Sequence, residues 1–199
     1  MPTSPDHRNA SSPQPREISR QPLGEGKFVR LDLIHWRDAK GIDRIWESAE
    51  RIGGVRTVLI IAWLVPSHRL LLIRQYRPPA KKFVIEFPAG LIDAGESPEQ
   101  AAGRELYEET GYRCRVLHTT EAAFNTPGLS SESVHQVIAE IDESDLANQS
   151  VTPHFDGGEQ IETRLVPRAG LADFLARGGA AGDALDSKVA AYVAGLVAQ

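Results

Sequence analysis

The segment Gly90–Tyr112, GLIDAGESPEQAAGRELYEETGY, specifies a loop, a helix and the helix's stop within 23 residues. Ser97 is a good N-cap, Pro98 suits the first helical position, and Gln100 completes an S-x-x-Q capping box. Gly111 is a natural C-terminal stop, and the residues between are mostly good helix formers. On that helix Glu105 and Glu109 stand one turn apart with Glu108 between them, while Ala102 and Leu106 share a face suited to packing on a sheet. Carboxylates at this spacing repel one another unless a cation sits among them. Their hard oxygens suit Mg²⁺ or Mn²⁺ rather than zinc. Arg104, four residues before Glu108, is placed to neutralise or aim part of the cluster.

A solvated acidic face explains most glutamate-rich helices. Here, however, the spacing fits G-x5-E-x7-R-E-U-x-E-E-x-G-U without a gap, with Leu106 and Tyr112 at the apolar or aromatic positions U. Seven fixed identities, each at a background of roughly 5–9%, coincide by chance about once in 10⁸ start positions. The segment resembles a complete Nudix box, the signature of metal-dependent hydrolases of nucleoside diphosphates linked to another group. That resemblance implies an alpha/beta/alpha sandwich built on a mixed sheet, an α/β (α+β) fold.

The rest of the chain agrees with this class. Its 199 residues suffice for one full core. A net charge of -5 gives no electrostatic case for nucleic acid or an anionic membrane. No apolar run approaches the length of a membrane span, and the N-terminus lacks a charged-then-apolar signal. The single cysteine, Cys114, rules out an internal disulfide, so the cytoplasm is the expected compartment.

Residues 1–22, rich in Ser, Pro, Arg and Asn, read as a disordered tail. Strand-like runs follow at Phe28–Ile34 and Asp43–Ser48, with Lys40-Gly41 as a turn between them; they form an N-terminal antiparallel β segment over 23–55. The catalytic domain is expected over 56–199. Its strands are expected at Val55–Ile61, Arg69–Gln75, Phe83–Phe87, Arg115–Leu117, Glu121–Asn125, Val134–Ile141 and Gln160–Val166. A short helix at Leu171–Ala176 and a closing helix at Asp183–Val197 complete it.

Further residues resemble one branch of the family, the ADP-ribose and ADP-sugar pyrophosphatases, and its human-type members in particular. Pro127 lies sixteen residues after Gly111, within Thr126-Pro127-Gly128-Leu129-Ser130. The runs Glu25–Val29, Trp46-Glu47-Ser48, Arg74–Pro79 and Ile85–Asp93 match as well. Trp46 offers a face on which adenine can stack, and the adjacent Glu47 offers a polar edge. By resemblance the adenine lies between two rings, one from each subunit of a homodimer, at positions matching Phe28 and Trp46. Arg51 and Arg77 match positions near the base and the diphosphate, where guanidinium forks suit phosphate oxygens. Leu91, Pro127 and Gly128 complete the expected substrate contacts. Trp36 and Trp63 have no such match and read as structural.

The same resemblance implies that Glu105 and Glu109 bind the metals. Glu108 binds one or supports the site from behind, and the Ala89 carbonyl completes it. Glu96 is expected to orient Arg104 or the loop. Two residues are candidates for the base that activates water: Glu159, in the Asp156–Glu159 loop, and Glu132, in Ser130-Ser131-Glu132. The former is preferred. The implied reaction converts ADP-ribose and water to AMP and ribose 5-phosphate. Thr126 and the Asn148–Gly158 loop depart from the human-type pattern, so the sugar preference stays open. The alternatives are a hydrolase of another nucleotide sugar such as GDP-mannose, or a Nudix domain that only binds its ligand.

Overall fold

A computed structural model of the chain describes residues 13–54, 56–155, 160–177 and 182–198. The chain divides into two compact units: residues 1–55 with 124–132, and 56–123 with 133–199.

The first unit is a three-stranded antiparallel sheet in the order β1 (Arg16–Glu25), β2 (Val29–Arg37), β3 (Asp43–Arg51). The β2–β3 hairpin closes as the composition of its turn predicts. Gly41 adopts φ 81°, and the Asp38 carboxylate accepts from the backbone N–H groups of Lys40 and Ile42, both at 2.9 Å. β1 departs from expectation, because it runs through residues 16–22 of the stretch read as a disordered tail. It has no apolar face to announce it, since all ten of its residues are exposed. Pairing with β2 holds it, with a register shift between Pro22 and Gly24 that accommodates the proline on an edge strand. Arg20 adds an ionic tie, donating to Glu50 at 2.9 Å and to Asp32 at 3.4 Å. Asp32 is fully buried and also accepts both prongs of Arg30, at 2.7 and 3.0 Å, which holds its carboxyl below the ordinary range. Of the rest of the expected tail, residues 13–15 have no regular secondary structure and residues 1–12 lie outside the described residues.

The second unit contains β4 (Thr57–Val65), β5 (Arg69–Arg77), β6 (Lys82–Glu86), β7 (Ala89–Leu91), α1 (Pro98–Thr110), β8 (Arg115–Thr119), the first residue of β9 (Ala123–Phe124), β10 (Ser133–Asp142), β11 (Ile161–Pro167), α2 (Leu171–Ala176), β12 (Ala184–Leu185) and α3 (Ser187–Val197). The sheet order is β12-β6-β5-β4-β10-β8, with β11 also on β5 and β7 also on β4. β4 and β10 run parallel, as do β6 and β12, and the other pairs in that order are antiparallel, so the sheet is mixed.

Alternation along β4 builds both faces. Val58, Ile60, Ala62 and Leu64 pack with Ala101, Ala102 and Leu106 of α1. Leu59 and Ile61 pack on the other face with Leu171 of α2 and with Val189 and Val193 of α3. Each fully buried Leu or Ile here stabilises the fold by about 1.5–3 kcal/mol. The layers are therefore helix, mixed sheet, helix. The closing helix starts at Ser187 rather than Asp183. Asp186 is its N-cap, accepting from Lys188 N, while the Asp183 carboxylate is held by Arg74 at 2.8 and 2.9 Å. No helix among the described residues is long and apolar enough to cross a membrane.

Candidate active site

α1 begins as its sequence dictates. The Ser97 side chain accepts from Gln100 N, the Gln100 side chain accepts from Ser97 N at 2.9 Å, and Pro98 opens the helix. It ends at Gly111, which is in the left-handed region at φ 77° and donates to Tyr107 O. Between these ends the buried face, Ala101, Ala102 and Leu106, turns toward β4, which sets the rotation of the carboxylate-bearing side.

Arg104 organises that side. Its Nε and Nη2 donate to the two oxygens of Glu96, both at 2.9 Å. Its Nη1 donates to Glu105 Oε1 at 2.9 Å and to Glu108 Oε2 at 3.0 Å. Nη2 also reaches the Leu91 carbonyl at 2.9 Å. One guanidinium thus ties the loop before the helix, the end of β7 and two of the three helix carboxylates. Glu96 accepts in addition from Asp93 N at 3.1 Å. The Arg104 fork, ahead of that backbone bond and against some desolvation, holds the Glu96 carboxyl down to about 2, and the acidic ring pushes Arg104 upward in turn.

β7 lies directly against this cluster. A Cβ built on Gly90 would fall inside the Glu105 carboxylate. Gly90 does not adopt positive φ, so a side chain here is opposed not by the backbone conformation but by the Glu105 carboxylate, which would have to move. Glu109, the third carboxylate, is buried among the helix's inward residues. These negative charges lie toward the helix C-terminus, and no basic residue occupies the last turn. The helix dipole disfavours the two of them, Glu108 and Glu109, that stand in the last turn. The donor set is all hard carboxylate oxygen and fits a divalent cation of the Mg²⁺ type. Among the described residues, no three His, Cys, Asp or Glu side chains converge on one point by themselves. Arg104 supplies the positive charge between Glu105 and Glu108.

The other sequence-predicted residues fall in two groups. Within the first unit, Trp46 is half-exposed and donates from Nε1 to Gly128 O at 3.0 Å. Pro127 lines a depression with Trp46, Ile34 and Trp36. Trp36, read from sequence as structural, therefore shares the surface of Trp46; the cue was its position two residues beyond Ile34, which faces Trp46 across the β2–β3 ladder. Phe28 is exposed, with Lys27 Nζ 5.0 Å from its ring centre. Glu47 pairs across the ladder with Leu33. Arg51 forms an ion pair with Glu132, whose other oxygen accepts from Asn125 Nδ2 at 3.1 Å. Within the second unit, Ala89 and Leu91 flank Gly90 in β7, and Arg77 forms a two-pronged pair with Glu86 at 2.7 and 3.0 Å. No local sequence spacing points to the Glu86 partnership. Glu159 lies outside the described residues.

The helix, its arginine and the strand packed against it are those of the NUDIX family, to which this chain belongs: the NUDIX domain model matches residues 55–183. Among its relatives are an ADP-sugar pyrophosphatase of Mus musculus, 35% identical over 87% of this chain and 84% of its own length, and an ADP-ribose pyrophosphatase of Saccharomyces cerevisiae, 35% identical over 86% and 78%. A crystal structure of an ADP compounds hydrolase superposes with a TM-score of 0.68 over 96% of this chain and 95% of its own, at 21% identity, and shares the fold.

The Glu96 fork gives a pH-dependent prediction. A carboxyl held at about 2, below its ordinary 4.5, contributes stability that is complete above 4.5 and is lost as pH falls through 2. Glu96→Gln is expected to lower the Tm by a constant amount above pH 4.5, and the gap from wild type should close toward pH 2. Thermal unfolding of both proteins across that range checks this, and a gap independent of pH contradicts it.

Proposed function

We propose that this chain hydrolyses the diphosphate of ADP-ribose or a related ADP-sugar to AMP and a sugar phosphate, with Mg²⁺ or Mn²⁺ as its metal. The observation that carries the reading is the hold of Arg104 on Glu96, Glu105 and Glu108, with Gly90 pressed against Glu105. That arrangement presents a compact set of oxygen donors on a rigid helix, as hydrolysis of a diphosphate requires. The ADP-sugar and ADP-ribose pyrophosphatases among its relatives support the choice of an adenine nucleotide.

A bound divalent metal would neutralise non-bridging phosphate oxygens and acidify the attacking water. Glu105 and Glu109 are assigned to hold it, aided by Glu108 and the Ala89 carbonyl. Arg104 fixes the Glu105 and Glu108 side chains from one side, which limits the rearrangement needed to bind. Trp46 supplies the stacking face for adenine and Glu47 its polar edge, while Phe28 supplies a second ring from the partner subunit. Arg51 and Arg77 are assigned to the base and the diphosphate, and Leu91, Pro127 and Gly128 to further substrate contacts. Glu159 is assigned as the base that takes the proton of the attacking water as the P–O bond to the leaving phosphate breaks. Glu132, the alternative, already accepts hydrogen bonds from Arg51 and Asn125.

The same reading includes a homodimer formed through the N-terminal sheet, residues 23–55 with β1 added, beside a catalytic domain over 56–199. In the first unit the buried side chains are polar, Asp32 and Ser48, while Ile18, Leu23, Phe28, Ile45, Trp46 and Ile52 are exposed. A second copy of the chain would cover that apolar surface. Light scattering is expected to give the mass of two chains; the mass of one chain contradicts the dimer.

The substrate is tested by a panel of ADP-ribose, ADP-glucose, ADP-mannose and GDP-mannose at equal concentration with Mg²⁺. An ADP-sugar is expected to be cleaved fastest, and faster cleavage of GDP-mannose overturns the adenine assignment. Glu105→Gln is expected to reduce turnover to background while ADP-ribose binding persists. Near-normal turnover in that variant contradicts the metal assignment, and a wild-type protein that binds ADP-ribose without cleaving it points to a binding-only domain.

A further inference from the structure

The carboxylate end of α1 is closed by a strap from far along the chain, residues 148–155. Asn148 is buried and makes three bonds. Its Oδ1 accepts from Arg113 N at 2.8 Å, and its Nδ2 donates to Arg113 O at 3.1 Å and to Asp142 O at 3.0 Å. The Thr152 backbone then crosses Gly111 so closely that a Cβ there would sit 2.7 Å from Thr152 N. Two residues later, His154 N donates to the Glu108 carbonyl at 2.7 Å. The His154 ring stacks on Tyr107 with centroids 5.1 Å apart and planes 30° apart, and its Nε2 lies 3.1 Å from the Tyr107 hydroxyl. The Arg113 guanidinium also lies over the Tyr107 ring, 4.8 Å from its centre.

This strap acts on the part of the helix least able to hold itself. The last turn bears Glu108 and Glu109, and it has no basic residue to balance the helix dipole. Its Glu108 carbonyl, one of those a helix end leaves without an intrahelical partner, is satisfied by His154 rather than by solvent. We propose that His154 is a positioning residue for the carboxylate turn: its ring on Tyr107, added to its backbone bond to the Glu108 carbonyl, steadies the turn that carries Glu108 and Glu109 for a divalent cation. The inference rests on the metal assignment made under Proposed function. It adds to that assignment a residue some fifty positions along the chain that touches neither metal nor substrate. Groups bonded to the ligands themselves alter metal affinity about 10–100-fold when removed, so a residue acting one step further back is expected at the lower end of that range, whereas a merely structural cap would alter Tm and leave the affinity of the folded protein unchanged.

The test is a titration of the full-length chain with Mn²⁺ followed by electron paramagnetic resonance, without substrate, for wild type, His154→Ala and His154→Phe. His154→Ala is expected to weaken Mn²⁺ binding about tenfold, and His154→Phe, which keeps a ring against Tyr107, to recover most of that loss. Binding by His154→Ala within twofold of wild type overturns the inference, whatever its Tm, and so does a failure of His154→Phe to improve on the alanine variant. If His154→Ala does not fold, His154→Leu removes the aromatic face from Tyr107 while keeping apolar bulk, and Mn²⁺ binding within twofold of wild type there overturns the inference equally. Wild-type protein that binds no Mn²⁺ removes the metal assignment and this inference with it. Wild-type binding that is matched by the His154 variants removes this inference alone.

Discussion

The close approach of β7 to α1 at Gly90 and Glu105 is the contact on which the site depends. Any side chain at position 90 would occupy the space of the Glu105 carboxylate. Because that space is left open, Glu105 can accept from Arg104 Nη1, and the same guanidinium can reach Glu96, Glu108 and the Leu91 carbonyl. Without that approach the carboxylates would be a repelling row on an exposed helix face. With it they form a pre-ordered set around one cation, the guanidinium, on elements fixed from below by Ala101, Ala102 and Leu106 against β4.

The elements legible from sequence are those with a local physical signal. α1 announces itself through Ser97, Pro98, Gln100 and Gly111, each of which performs its expected capping role. The β4 run is visible because both of its faces are buried, giving a continuous apolar stretch. β1 is invisible because its pairing partner and Arg20, rather than its own pattern, make it a strand. The start of the closing helix is misplaced for a similar reason: Asp183 and Asp186 are equally good caps locally, and only the distant Arg74 decides between them. Among the site residues, the spacing of the box reveals Glu96, Arg104, Glu105, Glu108 and Glu109. The Glu86 partner of Arg77, the shared surface of Trp36 and Trp46, and the strap at His154 arise from long-range packing that no local spacing encodes.

The two units solve different problems. The second has an apolar core on each side of its sheet. The first buries carboxylate and hydroxyl instead, with Asp32 and Glu50 sharing Arg20 and the Ser48 hydroxyl donating to Glu50 at 2.6 Å. This network links β1, β2 and β3 through their side chains, and desolvation of the charges offsets part of their attraction. It fixes β1, β2 and β3 against one another, and with them the positions of Trp46 and Glu47.

Substituting Gly90 by alanine tests the central contact most directly, by adding one methyl group where the backbone itself tolerates it. Turnover of ADP-ribose with Mg²⁺ and thermal stability would be measured on the same preparation. The expected result is a folded protein with turnover reduced at least about 100-fold, the scale on which misplacing a catalytic group by an ångström acts. Turnover within twofold of wild type would show that the Glu105 carboxylate is not held where hydrolysis needs it by this approach, and would contradict the site described above.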